Sequence, residues 1–414
     1  MNVLIYKLPL LFVVLSVTAN QNPQLELENV LSRLSSKIKE SFIGRELPDD
    51  VFLNISQYLT KHGYPLESHG ITTEDGYNIV LHRIPSKKNN SAAILFVPPL
   101  GCSSIDWVSY GSNNSLALLL ADLDYDIWMV NPRGTRYSMS HVTYNSSSEE
   151  FWDFSFHEKG YYDVANSIDY ILNSTGLQKL ATVGFSEGTS ASLILPATRP
   201  EYNEKISLMV LLSPIGYMGG VRSKIALLGV EFLDLLMDLA KYIHFYGLPY
   251  FDLIPDLLVA VCSVDDFIPI CRDVVESTMG YDPDELDLDQ FLIIMSDKPA
   301  GLSFKQLFHY GQEIRTKSFR QYDYGTTKNL EVYGSNDPPA YNTSEITVPV
   351  AAYYGKNDYF AAVEDVNKLL GELPNVADNY LIEYEYFNHL DFLFAIHVKS
   401  LVYDQVIDVI KKHI

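Results

Sequence analysis

The stretch ATVGFSEGTS, residues 181–190, sets a serine between two glycines in a G-x-S-x-G frame. On its own such a frame arises by chance, so its weight comes from what surrounds it. KLATVGF leads in as an apolar run of strand length, and Ser190, Ala191, Leu193 and Ile194 lead out with the small and apolar residues of a buried helix. A strand turning sharply into a helix lifts the Ser186 hydroxyl above the sheet. It also presents that hydroxyl at a helix N-terminus, whose dipole favours developing negative charge. Gly184 and Gly188 keep side chains out of the turn. A nucleophile so placed needs an acid and then a histidine later in the chain. Glu187, directly after the serine, is an odd neighbour, because it places a carboxylate beside the position where negative charge would build.

Outward from the elbow, strands alternate with helices. ITTEDGYNIVLHRIP reads as strand, Asp-Gly turn at Asp75 and Gly76, and strand. AAILFVPPL (residues 92–100), residues 125–130 and ISLMVLLSP (residues 206–214) are continuous apolar runs, as expected of strands covered on both faces. Between them fall a helix at about residues 114–123 and a second with helical spacing at Val164, Ile168 and Ile171. This is the pattern of a parallel α/β sheet. It breaks after Pro214: residues 216–342 read as helical and apolar without regular strands. Within them KIALLGVEFLDLLMDLAKYI (residues 224–243) carries a stripe of Leu228, Phe232, Leu235, Leu236 and Leu239. The stripe fits a helix packed into a core, or a cap over an apolar cavity. Alternation resumes with ITVPVAAYYGKNDYF, a helix at residues 363–370, a strand in NYLIEYEYFNHLDF and a terminal helix from about residue 400. Asp358 then follows one strand and His389 the next, both on the edge where open α/β sheets bind ligands.

Composition narrows the partners. With 52 acidic against 30 basic residues the formal charge is −22, which argues against nucleic acid and disfavours anionic membranes while leaving neutral lipid surfaces open. MNVLIYKLPLLFVVLSVTAN has the lysine, short apolar run and small-residue cleavage site of a secretory signal over residues 1–19, and no membrane anchor is expected. Sequons at Asn54, Asn89, Asn113, Asn145, Asn173 and Asn342 agree with export. Of three cysteines, Cys262 and Cys271 are close enough to close a small loop, worth roughly 2.7 kcal/mol for about ten residues, which leaves Cys102 as a small buried hydrophobe. No metal-ligand spacing or phosphate-cradling loop occurs, so no cofactor is expected.

From about Tyr58 to its end the chain resembles the acid lipase family of animals, which includes gastric, lingual and lysosomal lipases and insect relatives. The resemblance rests on HGYPLESHGITTEDGYNIVLHRIP, NNSLALLLADLDYDIWMVNPRGTRYSMSH, FWDFSFHEKGYYDVANSIDYIL, KPAGLSFKQLFHYGQ, YGKNDYFA and NHLDF, in that order. It implies an α/β-hydrolase, with a lead-in at residues 20–57, a core at 58–215 and 343–414, and a helical cap and lid at 216–342. It implies a serine hydrolase of neutral-lipid carboxylic esters, with Ser186 as nucleophile, Asp358 as acid, His389 as base and a Cys262–Cys271 bridge. Its oxyanion hole would use the Leu100 and Glu187 backbone N–H groups, and here the chain departs from the family. Pro98 and Pro99 stand where the family has His-Gly and cannot donate, Glu187 replaces Gln, and Phe185 replaces His. A Glu187 carboxylate about 6 Å from the oxyanion would cost roughly 3 kcal/mol at an effective dielectric of 20, about a hundredfold in rate. Glu187 is therefore expected to point away, pair with a cation or be protonated. The rival readings are a lipid-binding or storage protein on a weakened lipase scaffold, and an esterase for soluble substrates.

Overall fold

The computed structural model describes residues 46–414, so the expected signal segment and most of the lead-in lie outside the described residues. In chain order the strands are β1 (Glu67–Thr72), β2 (Tyr77–Ile84), β3 (Ala93–Val97), β4 (Asp126–Asn131), β5 (Ser140–His141), β6 (Leu180–Phe185), β7 (Ile206–Leu212), β8 (Gly247–Leu248), β9 (Leu302–Ser303), β10 (Val350–Tyr354) and β11 (Val376–Leu381). The main sheet runs β1-β2-β4-β3-β6-β7-β10-β11, with β5 paired to the start of β2. Pairings among β1, β2 and β4 are antiparallel, and every pairing from β4 to β11 is parallel. This is the α/β-hydrolase fold, with a mostly parallel central sheet and flanking helices.

The unbroken apolar runs follow from two covered faces. Along β3, Ile94 and Phe96 belong to one buried cluster while Leu95 and Val97 belong to the other. Along β7, Val210 and Leu212 divide from Met209 and Leu211 in the same way. Successive side chains point to opposite faces, so a strand covered on both sides has no polar position to spare. Helices Ile55–Lys61, Leu116–Asp122 and Asp404–His413 cover the first face, and Ala165–Thr175, Glu187–Thr198 and Val363–Glu372 the second.

Between β7 and β10 the chain leaves the sheet and differs from the sequence expectation in three ways. It is not strand-free: β8 and β9 form a small antiparallel sheet, each strand too short to leave a period in the sequence. Residues 224–243 form two helices, Lys224–Glu231 and Leu233–Tyr242, broken at Phe232, instead of one. Their stripe is not core, for Leu228 is 56% exposed and Leu235 63%. Leu233 is the residue of the second helix that turns inward, packed so closely on Gly311 that a Cβ there would lie 2.7 Å from it. The last strand also begins earlier and ends at Leu381, which leaves His389 in a loop well past it.

Candidate active site

Ser186 occupies the turn between β6 and the helix Glu187–Thr198, with φ 52° and ψ −118°. A serine at positive φ carries strain of order 1–3 kcal/mol, which neighbouring structure must impose. The glycines show how tight the turn is. A Cβ on Gly184 would sit 2.6 Å from the Gly188 carbonyl oxygen, and one on Gly188 would sit 2.0 Å from that of Val97. Only glycine lets the elbow helix press against the end of β3.

The structure brings together the three residues singled out from widely separated segments. His389 Nε2 lies 2.8 Å from Ser186 Oγ, and Nδ1 lies 3.0 Å from each Asp358 carboxylate oxygen. Asp358 is fully buried, and the Phe360 and Ala361 N–H groups donate to its Oδ1 at 2.8 and 2.9 Å. Burial works to raise this carboxyl, but the facing His389 imidazole and the Ser213 hydroxyl outweigh it and hold the carboxyl below its usual value. The rings of Phe185 and Phe360 flank the imidazole at 5.3 and 5.1 Å between centroids, walling it from bulk solvent. Such a chain of hydroxyl, imidazole and buried carboxylate can move a proton off a serine as it attacks.

Glu187 faces away from this chain. Its Oε1 accepts from Lys159 Nζ at 2.7 Å, and Gln306 Nε2 donates to Oε1 and Oε2 at 2.9 and 2.7 Å. All three side chains are buried. The carboxylate thus finds a cation on its far side. The Glu187 backbone N–H stays in the first helical turn, where amides lack an intrahelical acceptor.

The other expected donor, Leu100, lies in the turn after β3. That loop is held from outside. Ala300 N donates to the Gly101 carbonyl at 2.7 Å, and Arg136 N to the Ala300 carbonyl at 2.7 Å. Ser103 Oγ donates to Asp297 Oδ2 at 3.0 Å, while Asp297 pairs with Arg136 and Asp106 with Lys298. KPAGLS therefore braces the loop that two prolines already stiffen. The NPRG segment is structural: buried Arg133 joins Asp163 and Asp75 and lies 4.0 Å over the Tyr77 ring.

Three participants escaped the sequence reading. Ser213 directly follows β7 and could have been found by the same strand-end rule that picks out Asp358. Gln306 is the capping-box residue of the helix Phe304–Thr316, a local signal that says nothing of Glu187. Lys159, 28 residues from its partner, leaves no local trace.

Cys262 and Cys271 are joined, tying the helix Leu253–Cys262 to Ile268–Met279, and Cys102 is a buried free thiol. Burial pushes that thiol well up, so it should resist alkylation until the chain unfolds. Peptide mapping without reduction is expected to recover the 262–271 link with Cys102 unpaired, and Cys102 in any disulfide would refute the pairing. Of the sequons, Asn89, Asn113, Asn145, Asn173 and Asn342 are exposed. Asn54 is half-buried as the cap of a helix.

Comparison with known proteins agrees with this architecture. Residues 55–111 match the family model of a partial alpha/beta-hydrolase lipase region, and residues 93–238 that of the alpha/beta hydrolase fold. Lipase 3 of Drosophila melanogaster is 36% identical, covering 83% of this chain and 89% of its own. Human gastric triacylglycerol lipase is 34% identical over 88% and 92%. Human lysosomal acid lipase/cholesteryl ester hydrolase is 32% identical over 87% of this chain. A soluble variant of monoglyceride lipase from Saccharomyces cerevisiae shares the fold with a TM-score of 0.51 at 16% identity, covering 84% of this chain and 95% of its own. The chain belongs to the α/β-hydrolase lipases, the family of the gastric and lysosomal acid lipases, and is a carboxylic ester hydrolase.

Proposed function

We propose that this protein hydrolyses the carboxylic esters of neutral lipids at a lipid–water interface, using Ser186, Asp358 and His389. The observation that carries the reading is an apolar surface rooted beside the triad. Ile225, Leu228, Phe232, Leu235 and Leu239 are exposed on one helix pair, and Val261, Ile270 and Val274 on Leu253–Cys262 and Ile268–Met279. Helices Lys224–Glu231 and Ile268–Met279 pack together, which makes the two apolar faces neighbours. Both adjoin the site. Arg222, just before the first, donates to the Asp358 carbonyl at 2.8 Å, and His389 N donates to the carbonyl of Met279 at 3.4 Å. So much exposed apolar surface marks an interaction face, and the acidic balance of the chain selects neutral over anionic lipid. Residues 216–342 then act as cap and lid over the site.

In this reading His389 takes the Ser186 proton as Oγ attacks the ester carbonyl, and Asp358 stabilises the imidazolium and fixes its tautomer. The Leu100 and Glu187 N–H groups receive the oxyanion. His389 then protonates the departing alcohol and activates the water that releases the acid from Ser186. The signal segment and sequons support secretion, with a lysosomal lumen the other destination for this family's chemistry.

A substrate panel tests the proposal: emulsified triacylglycerol, cholesteryl ester in mixed micelles, and a soluble short-chain ester taken through its solubility limit. The expected result is a rate on one or both lipids and a step up in short-chain turnover once the ester forms a separate phase. Smooth saturation with no step, and no lipid turnover, would favour a soluble-ester esterase. Binding of lipid with no hydrolysis of any ester would favour the storage-protein reading.

A further inference from the structure

We infer that Ser213 is a positioning residue of the hydrolytic site, a fourth member that holds the Asp358 carboxylate against His389 and moderates its charge. The inference rests on the triad reading above. Ser213 follows β7 and is fully buried. Its Oγ donates to Asp358 Oδ2 at 2.6 Å and lies 2.9 Å from His389 Nδ1. The Nδ1 hydrogen therefore faces three oxygens, the two carboxylate oxygens at 3.0 Å and the hydroxyl oxygen. The backbone holds the hydroxyl there under strain, since Ser213 has φ 52°, a conformation glycine takes freely and serine does not. Its N–H donates to the Tyr353 carbonyl at 2.8 Å, which fixes it between β7 and the strand that leads to Asp358. Strain kept beside a reacting group marks a position that structure alone does not require.

The hydroxyl has a definite electrostatic effect. Oδ1 is satisfied by two backbone N–H groups, whereas among the described residues Oδ2 has only Ser213 and the imidazole. A donor on Oδ2 draws off part of the charge that would otherwise stabilise the imidazolium. Ser213 thus offsets part of the Asp358 charge that faces the imidazole, and the acid limb of activity lies lower as a result.

Other ionisable groups surround the pair without bonding to either ring or carboxylate. Asp391, on the histidine's own loop, accepts from Asn388 N at 2.6 Å and is hydrogen-bonded to Asp282 from the cap side. The Arg222 guanidinium is engaged with the carbonyls of Lys356 and Asp358. Glu187 and Lys159 neutralise each other behind the elbow.

The test is the pH profile of kcat/KM between pH 4 and 8, on a soluble short-chain ester, for the full chain carrying Ser213→Ala or Ser213→Gly. Loss of one hydrogen bond to a carboxylate should raise the acid limb by about half to one pH unit, a roughly three- to tenfold loss below the limb. KM should be little changed. The glycine variant relieves the positive φ that alanine keeps, so it should melt above the alanine variant and still show the raised limb. A space-filling role predicts profiles parallel to the parent, and an unmoved or lowered limb in the glycine variant would overturn the inference. Organophosphonate labelling of the parent separates the two readings. Failure to label Ser186 removes the triad and Ser213's role with it, while labelling with an unmoved limb removes Ser213's role alone.

Discussion

Ser186→Ala should lose turnover by about 10⁶-fold in kcat and should no longer be labelled by an organophosphonate that modifies the parent at one serine. Loss of the proposed nucleophile is the largest single effect expected, because in the proposed triad His389 and Asp358 act only through it. The variant should still fold. Alanine at φ 52° is no more strained than serine, and the substitution removes one hydrogen bond, that to His389 Nε2, so stability should move by about 1 kcal/mol. What remains after the substitution is informative. Residual rate over water then measures the oxyanion site and substrate binding alone, about 10³–10⁴-fold in sites of this type. The Pro98–Pro99 loop makes that remainder a question about this chain, since one missing oxyanion donor costs about 10²–10³-fold. A normal remainder means that the braced turn delivers the Leu100 N–H, and a remainder lower by that factor means that it does not. Label on a serine other than Ser186, or variant turnover within about a hundredfold of the parent, would sink the assignment. The nearby Ser190 and Ser213 are buried and hydrogen-bonded, so neither is a competing target.

Legibility followed the range of the interactions. Strands β3, β4, β6, β7 and β10 were readable because burial on both faces writes an unbroken apolar run, and run length separates strand from helix. The elbow was readable because its steric demand falls on Gly184 and Gly188, two positions from the serine. Asp358 and His389 were picked out by their order and by following strands. The break at Phe232 and the sheet of β8 and β9 were not readable, since two-residue strands carry no period. Sequence could not decide between the two readings of the exposed stripe, core or cap, for a physical reason. Amphipathic spacing reports that a helix has an apolar face, not whether protein or a lipid surface covers it. The partner of Glu187 was invisible because an ion pair between Lys159 in a π-helical turn and Glu187 at the elbow depends only on tertiary packing.

Glu187→Gln, the change that restores the residue usual in the family, should destabilise this protein and leave its intrinsic chemistry nearly intact. Sequence alone allowed a hundredfold gain in rate if the carboxylate faced the oxyanion. The geometry removes that outcome, because both oxygens are turned to Lys159 and Gln306. Removing the charge strands a buried ammonium. It also sets a new amide donor against Gln306 Nε2, whose own Oε1 is committed to Ser303 N at 2.7 Å. Breaking one half of a buried pair typically costs 3–5 kcal/mol, a fall of roughly 3–6 °C in melting temperature for a chain of this length. At a temperature where the variant is folded, kcat should stay within about threefold of the parent, since the proposed oxyanion donor is the backbone N–H. The second substitution decides the cause. Lys159→Met with Glu187→Gln replaces the stranded ammonium by an apolar chain of similar length, and exchanging a buried pair for packed neutral groups is often neutral. The double variant should recover at least half of the lost stability, and Lys159→Met alone, which leaves the carboxylate unpaired, should be as harmful as Glu187→Gln alone. Additive losses in the double variant would mean that the pair is not coupled and that Lys159 is held by something else. A large gain in kcat for Glu187→Gln would place the charge at the transition state after all, contrary to every contact that side chain makes.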